Sequence, residues 1–312
     1  MNTLLTRFGG EVAALSAAAL WAIAAIFYGR ARERIPAREL NLIKGILAIA
    51  LLSATLLITG ETASAWNTRA AILLGISGMI GIGMGDTAYF EALKKLGVRR
   101  TLLIGILAPP LTAVIAWLFL GETLPWGAWF GIALTVAGVA WVISEHEGDN
   151  GNVEDKEGKA IIPKAALRAG IGFGIAAALA QSIGAILSRV ALTQTPVGAL
   201  MSAILRLATG VLTMLVWLAL DRRPLGNWRR PGHDGKLWGI VVLAIFMGTY
   251  LGVWLQQVAI QHARVGTAQT LLATSQLFIL PLAALRGERI SPRAVIGALI
   301  ALGGVALLFQ FQ

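Results

Sequence analysis

The chain has 312 residues, of which 57% are hydrophobic and only 13% charged, and its mean hydropathy is +0.75. A soluble protein of this length has more charge, about 25% of its residues, so the composition excludes a soluble globular domain and predicts an all-α integral membrane protein in a lipid bilayer. The net charge is +10, and the basic residues lie between apolar segments, which is typical of the cytoplasmic loops of a membrane protein and not of a nucleic-acid-binding surface. The chain has no cysteine, which excludes thiolate metal sites.

Five apolar runs in the first half are each long enough to cross a hydrocarbon core of about 30 Å. They fall at 11–28, 39–59, 70–93, 101–120 and 125–143. The first run ends in arginines and not in a small-residue cleavage site, so it is predicted to be a retained span. Residues 1–143 are therefore predicted to form a first unit of five transmembrane helices.

A polar segment at 144–163 contains six acidic residues and cannot lie in lipid, so we predict a linker there. Five further apolar runs follow it, at 164–187, 197–220, 237–260, 266–285 and 291–309. Residues 164–312 are accordingly predicted to form a second unit of five helices, which gives ten transmembrane helices in total.

The two units are related by an internal repeat. A shift of 166 residues aligns Gly131 with Gly297 and Gly138 with Gly304, and it also aligns two Gly-Glu pairs at 121–122 and 287–288. Because each unit has an odd number of spans, the second unit enters the membrane in the opposite orientation. The sequence therefore predicts two inverted five-helix repeats.

The Lys and Arg residues outside the spans are divided very unequally between the two sides of this topology. Twenty fall on the side that carries the linker, and four fall on the other side. The positive-inside rule makes the rich side cytoplasmic. We therefore predict a multi-pass protein of the inner or plasma membrane, with a cytoplasmic linker and with both termini outside the cytoplasm.

Two segments at repeat-related positions carry a family resemblance. "LAPPLTAVIAWLFLGETL" at 107–124 is followed by Gly131 and by "AGV" at 137–139, and "LAALRGERI" at 282–290 is followed by Gly297 and by "GGV" at 303–305. The chain resembles the EamA-type transporters of the drug/metabolite transporter superfamily over nearly its whole length. This resemblance implies a secondary transporter, often an exporter of amino acids, related metabolites or drugs. It also implies cytoplasmic termini, in contrast to the charge distribution.

The motif Gly83-Met84-Gly85-Asp86 favours a different function. It is similar to the GxGD signature around one catalytic aspartate of intramembrane aspartyl proteases, and an intramembrane enzyme that uses Asp86 is therefore the alternative. Such enzymes need a second carboxyl group that shares a proton with the first. The other aspartates lie in predicted loops, and no metal-binding motif is present, so we predict a protein that is not an enzyme and that needs no cofactor or metal.

Lys44, Asp86 and Arg206 lie inside predicted spans, where an uncompensated charge costs about 2.5–3.5 kcal/mol. Counted from the helix ends, Lys44 and Asp86 lie at similar depth, so we expect an ion pair. The pair has either a structural role or a direct role in transport, in which Asp86 is the candidate proton-coupling group.

Arg206 has no acid at the repeat-related position, because Gly252 corresponds to Asp86. Its guanidinium either binds helix carbonyls or presents its planar fork to a substrate carboxylate. Neutral hydrogen-bonding groups and aromatic side chains at comparable depth complete the predicted site. The candidate substrate-binding residues are Arg206, Gln181, Gln256, Trp21, Tyr89 and Trp254.

Overall fold

A computed structural model provides the structure of the protein. It describes residues 9–32, 34–60, 67–120, 125–143, 164–221, 235–263, 268, 271–275, 278 and 292–310. The regular elements in these ranges are all helical. The predicted linker at 144–163 lies outside the described residues, as does most of the predicted span at 266–285.

The described residues of the first half form six α-helices and one π-helix. They are α1 (Gly9–Arg32), α2 (Ala37–Thr59), α3 (Thr68–Ser77), π1 (Gly78–Gly85), α4 (Asp86–Gly105), α5 (Ala108–Leu120) and α6 (Trp126–Ile143). The boundary between the third and fourth predicted spans lies inside α4 at Gly97, whose φ of 77° is readily adopted only by glycine. The two spans are therefore separate helices that meet at a sharp break at Gly97.

The second half has the corresponding pattern. It contains α7 (Lys164–Gln194), α8 (Ala199–Asp221), α9 (Gly235–Ala244), π2 (Ile245–Leu251), α10 (Gly252–His262) and α11 (Pro292–Gln310). π1 ends directly before Asp86, and π2 ends directly before Gly252. These two residues are related by the shift of 166, so the same change of hydrogen-bond register occurs once in each repeat.

Length and hydropathy identify the helices that cross the membrane. Seven helical segments among the described residues are long and apolar enough to span it, and two shorter apolar helices, Trp126–Trp141 and Val295–Leu307, match the fifth and tenth predicted spans. Leu57, Phe119 and Trp126 are each more than 80% exposed, as side chains in contact with lipid tails would be. The protein is an all-α integral membrane protein, and nine of the ten predicted spans have a helical counterpart among the described residues.

Helix packing follows the repeat. α1 packs on α10 and π2, α7 packs on α4 and π1, and α2 packs on α8. The crossing of α6 and α11 is an example. A Cβ atom on Gly138 would lie 2.8 Å from the backbone nitrogen of Ala301, and one on Gly304 would lie 2.5 Å from Oγ1 of Thr135. The repeat shift of 166 residues relates Gly138 to Gly304 and Thr135 to Ala301. The two contacts are therefore equivalent in the two repeats.

The fourth predicted span is broken in its middle. α4 ends at Gly105 and α5 begins at Ala108, so Pro109 and Pro110 occupy the first turn of α5, where a missing N–H costs no helical hydrogen bond. Ser182 of α7 donates a 2.8 Å hydrogen bond to the carbonyl of Ala108 and fixes this break against the second repeat.

Candidate functional site

A cavity of about 230 Å³ lies between the two repeats. Its wall is formed by residues of α1, α2, π1, α4, α7, α8, π2 and α10, together with the break between α4 and α5. Seven of the eight residues that the sequence predicts for the site line it: Trp21, Lys44, Asp86, Tyr89, Gln181, Arg206 and Gln256. Substrate sites of secondary transporters commonly lie at such an interface between repeats.

Trp254 is the eighth predicted residue, and the structure places it elsewhere. It is not among the described residues that line the cavity, and its ring lies 6.1 Å from the ring of Tyr250, beside an apolar core cluster. Its predicted contact with a substrate has no support from this position.

Lys44 and Asp86 form an ion pair at the cavity wall. The Lys44 side chain is 8% exposed and that of Asp86 is 27% exposed, so the carboxylate is the more accessible partner. Nζ of Lys44 also lies 5.0 Å from the ring centroid of Phe90, close enough for a cation–π contact. Lys44 is therefore neutralised by Asp86 and shielded from lipid by an aromatic ring.

Arg206 is buried to 1% exposure and lines the same cavity. Its Nε and Nη1 atoms have no hydrogen-bond partner among the described residues. The first interpretation of this residue, that it binds helix carbonyls, is therefore not realised by these two nitrogens. A buried donor without a partner costs free energy, so these two nitrogens favour a hydrogen-bond acceptor placed in the cavity.

Glycines make room for Arg206 between three helices. A Cβ atom on Gly78 would overlap the Arg206 carbonyl oxygen, so α8 can approach π1 only because residue 78 has no side chain. Nη2 of Arg206 lies 3.4 Å from the Cβ positions of both Gly81 and Gly184. The glycine-rich sequence of π1 thus admits the guanidinium to the cavity.

Four aromatic residues form the apolar part of the wall: Trp21, Tyr28, Tyr89 and Phe90. Nε1 of Trp21 donates a 3.0 Å hydrogen bond to the carbonyl of Gly248, and the hydroxyls of Tyr28 and Thr249 share a 2.7 Å hydrogen bond. The polar ends of both aromatic side chains are thereby engaged by π2. Their rings remain as apolar surface for a ligand.

Both predicted glutamines face the cavity, whereas a neighbouring glutamine does not. Gln181 and Gln256 line the cavity. The adjacent Gln257 does not line it, and its Oε1 accepts hydrogen bonds of 2.6 Å from Ser188 and 3.1 Å from Ser202. Gln257 therefore contributes to helix packing, whereas its neighbour faces the candidate site.

The sequence analysis missed Tyr28, Phe90 and Thr249 as lining residues. The helical spacing from a predicted site residue could have identified two of them. Tyr28 is seven positions after Trp21 and Phe90 is four after Asp86, spacings that place both members of each pair on one helix face. Thr249 had no such signal, because its direction depends on π2, and a π-helix has no distinct hydropathy pattern.

The arrangement does not support an intramembrane protease. Asp86 is the only carboxylate among the described residues that line the cavity, and its partner is a lysine. Within the described ranges, no group of three or more His, Asp or Glu side chains is placed to hold a metal ion. A largely apolar and aromatic cavity with a few charged and neutral polar side chains suits binding of a small molecule.

Comparisons with known proteins agree with the fold and the repeat. The model of the EamA-like transporter family matches residues 8–144 and again residues 168–310. An uncharacterized transporter of Sinorhizobium sp., encoded in the cobO 3′ region, is 31% identical over 127 residues, which cover 40% of this chain and 89% of that protein. An uncharacterized protein of Pseudomonas aeruginosa is 33% identical over 139 residues, and the match spans 43% of each chain, less than half the length of that relative.

A solved crystal structure superposes on this chain with a TM-score of 0.69 and covers 96% of each chain. At 19% sequence identity, that likeness concerns the fold alone. The two family matches together cover both repeats, and the chain belongs to the EamA-like transporter family of membrane transporters, within the drug/metabolite transporter superfamily.

Proposed function

We propose that this protein is a secondary active transporter that exports small organic metabolites, such as amino acids and related compounds, or drugs, by alternating access. The observation that carries the proposal is the buried guanidinium of Arg206, which faces a cavity between the repeats with two nitrogens unpartnered. A charged donor held in this way is prepared for a ligand that arrives from outside the protein. Gln181 and Gln256 add neutral hydrogen-bonding groups, and Trp21 and Tyr89 add apolar wall.

The paired π-helices support alternating access. π1 and π2 occupy equivalent positions in the two repeats, and each contributes residues to the cavity wall. π-helical segments are rare and occur mostly at functional sites, because a small change in hydrogen-bond register moves the rest of the helix. Interconversion of one π-helix at a time would open the cavity first to one side and then to the other.

Asp86 remains the proposed proton-coupling group. It is the one carboxylate among the described cavity-lining residues, and its protonation would break the ion pair with Lys44. The pair therefore offers a way to link proton uptake to a rearrangement between α2 and α4. The charge distribution supports operation in the inner or plasma membrane, with both termini outside the cytoplasm.

Efflux from cells tests the proposed function. We would express the protein in a bacterial strain and measure growth against a panel of amino acids, their analogues and toxic amphiphiles. We expect protection against at least one class, with lower intracellular accumulation of that compound. Protection should be lost in Arg206→Gln at equal membrane abundance.

The matched control is Arg189→Gln. Arg189 is also an arginine within the helical bundle, but its Nη1 donates a 2.6 Å hydrogen bond to the carbonyl of Ile260, and it is not among the described residues that line the cavity. This variant should protect cells as the wild type does. Equal accumulation of every compound with and without the protein would contradict export.

A further inference from the structure

The charges around the cavity do not balance, and the imbalance bears on the class of substrate. Lys44 and Asp86 neutralise each other, whereas no acidic side chain among the described lining residues is left for Arg206. The repeat gives the reason, because Gly252 stands where the second half would carry the counterpart of Asp86. The ligand-free cavity thus holds one positive charge in excess.

We propose that the transported molecule is a compact organic carboxylate, a monoanion with a flat apolar body and no ammonium group. The proposal rests on the proposed function, since it names the substrate class of the same cavity, and it narrows that function to the metabolites that lack the ammonium group of an amino acid. Three features of the wall support it, namely the net charge, the absence of a free carboxylate among the described lining residues, and the aromatic surface.

A monoanion neutralises the cavity. The side chains of Lys44, Asp86 and Arg206 carry a net charge of one positive unit, and a carboxylate bound to Arg206 cancels it. A zwitterion would leave that charge in place, and an amine would double it. Uncompensated charge is costly in a site with little water, so the monoanion is favoured. A carboxylate also matches the planar fork of the guanidinium with two parallel hydrogen bonds.

An ammonium group would find no free carboxylate among the described residues of this wall. The carboxylate of Asp86 is the only acidic group among the described lining residues, and Lys44 already binds it. A ligand ammonium would have to displace Lys44, whose own charge would then be buried beside Phe90 without a counter-ion. The ion pair thereby discriminates against amines and amino acids.

The remaining wall fits a flat apolar body. The rings of Tyr28 and Phe90 meet edge to face with centroids 5.4 Å apart, and the Tyr89 ring lies 5.7 Å from that of Phe90. The hydroxyl of Tyr28 and the indole nitrogen of Trp21 are already hydrogen-bonded within the protein. The volume of about 230 Å³ is below the range of about 300–1,000 Å³ typical of drug-sized ligands, so the body is no larger than one or two rings.

Four related probes separate the possible classes. We would use 3-phenylpropanoate as the carboxylate, its primary amide as the neutral analogue, phenylalanine as the zwitterion and phenethylamine as the cation. Binding to the purified full-length protein in lipid nanodiscs would be followed by intrinsic tryptophan fluorescence, to which Trp21 at the cavity contributes. We expect the carboxylate to bind about tenfold or more tightly than each of the other three, the gain from one charge-assisted pair.

Variants assign that preference to Arg206. Arg206→Gln should remove the difference between carboxylate and amide, Arg206→Lys should retain part of it because the charge remains without the fork, and Arg189→Gln should leave it unchanged. Equal or tighter binding of the amide, of phenylalanine or of phenethylamine overturns the substrate class, as does failure of all four probes to bind. Arg206-dependent efflux of an amine or a zwitterion in cells would overturn the class while leaving the proposed export function intact.

Discussion

Nε1 of Trp21 lies 2.6 Å from the point where a Cβ atom on Gly252 would stand. Gly252 is the repeat counterpart of Asp86, so an indole occupies the space that an acidic side chain fills in the first half. The repeats therefore share a backbone pattern and differ in charge at the cavity. That difference leaves Arg206 without the partner that Lys44 has.

Gly252→Ala tests the contact between Trp21 and Gly252. The new methyl group would displace the indole and break its hydrogen bond to the carbonyl of Gly248, so we expect a loss of stability of about 1 kcal/mol or more and a shift in tryptophan emission. Thermal unfolding in detergent and fluorescence measure the two effects.

Gly239→Ala is the control, because a Cβ atom at position 239 would meet nothing within 4 Å. Replacement of an open helical glycine by alanine stabilises a helix by about 0.5–1 kcal/mol. The two variants should thus change stability with opposite signs. Stabilisation by Gly252→Ala would show that the indole is free to move.

The ion pair of Lys44 and Asp86 is tested by a double-mutant cycle with Lys44→Met, Asp86→Asn and the combined variant. Asp86→Asn leaves the charge of Lys44 without a counter-ion, and we expect a loss of about 2 kcal/mol, less than the 3–5 kcal/mol for a fully buried pair because Asp86 is partly exposed. Lys44→Met should cost less, because Asp86 and Arg206 then remain as opposite charges at the same cavity. The double variant should recover most of that loss.

Proton dependence separates the two roles of this pair. If Asp86 couples transport to protons, proton-driven uptake into inverted vesicles is absent from both Asp86→Asn and the double variant, although the double variant is stable. Retained proton dependence in the double variant would assign the pair to structure alone.

The sequence could predict the spans and the repeat because hydropathy over about twenty residues depends on composition rather than on detailed geometry. Counting depth along the helices was also enough to bring Lys44 and Asp86 together. It could not give the direction of Trp254, since π2 changes the hydrogen-bond register before that residue and so rotates the face that follows. Gln256 of the same helix does line the cavity, so the error at Trp254 concerns the face of α10 on which that residue lies.

Membrane orientation is a separate prediction. Twenty Lys and Arg residues on one side and four on the other predict that both termini lie outside the cytoplasm. Reporter fusions that are active only outside the cytoplasm should work after Gln312 and around Thr62, and they should be inactive in the linker near Asn150. The reverse pattern would show that the charge distribution does not set the orientation of this chain.

The crossing of α6 and α11 should respond symmetrically to substitution. Gly138→Ala and Gly304→Ala each place a methyl group within 2.8 Å of atoms of the facing helix, so both should lower the unfolding temperature, each at a cost of about 1–3 kcal/mol. Gly303→Ala, beside one of them, meets nothing within 4 Å and should be neutral or stabilising. A large effect at only one of the two equivalent glycines would contradict a shared packing role.

Arg206→Met distinguishes a binding residue from a structural one by the sign of its effect on stability. A guanidinium that is 1% exposed with two unpartnered nitrogens destabilises the ligand-free protein, so its replacement by an apolar side chain should raise stability by up to about 2–3 kcal/mol. Transport and ligand-induced stabilisation should be lost in the same variant. Thermal unfolding with and without 3-phenylpropanoate measures both. An arginine that holds helices together would give the opposite result, in which Arg206→Met unfolds at a lower temperature and the surviving protein still responds to the ligand.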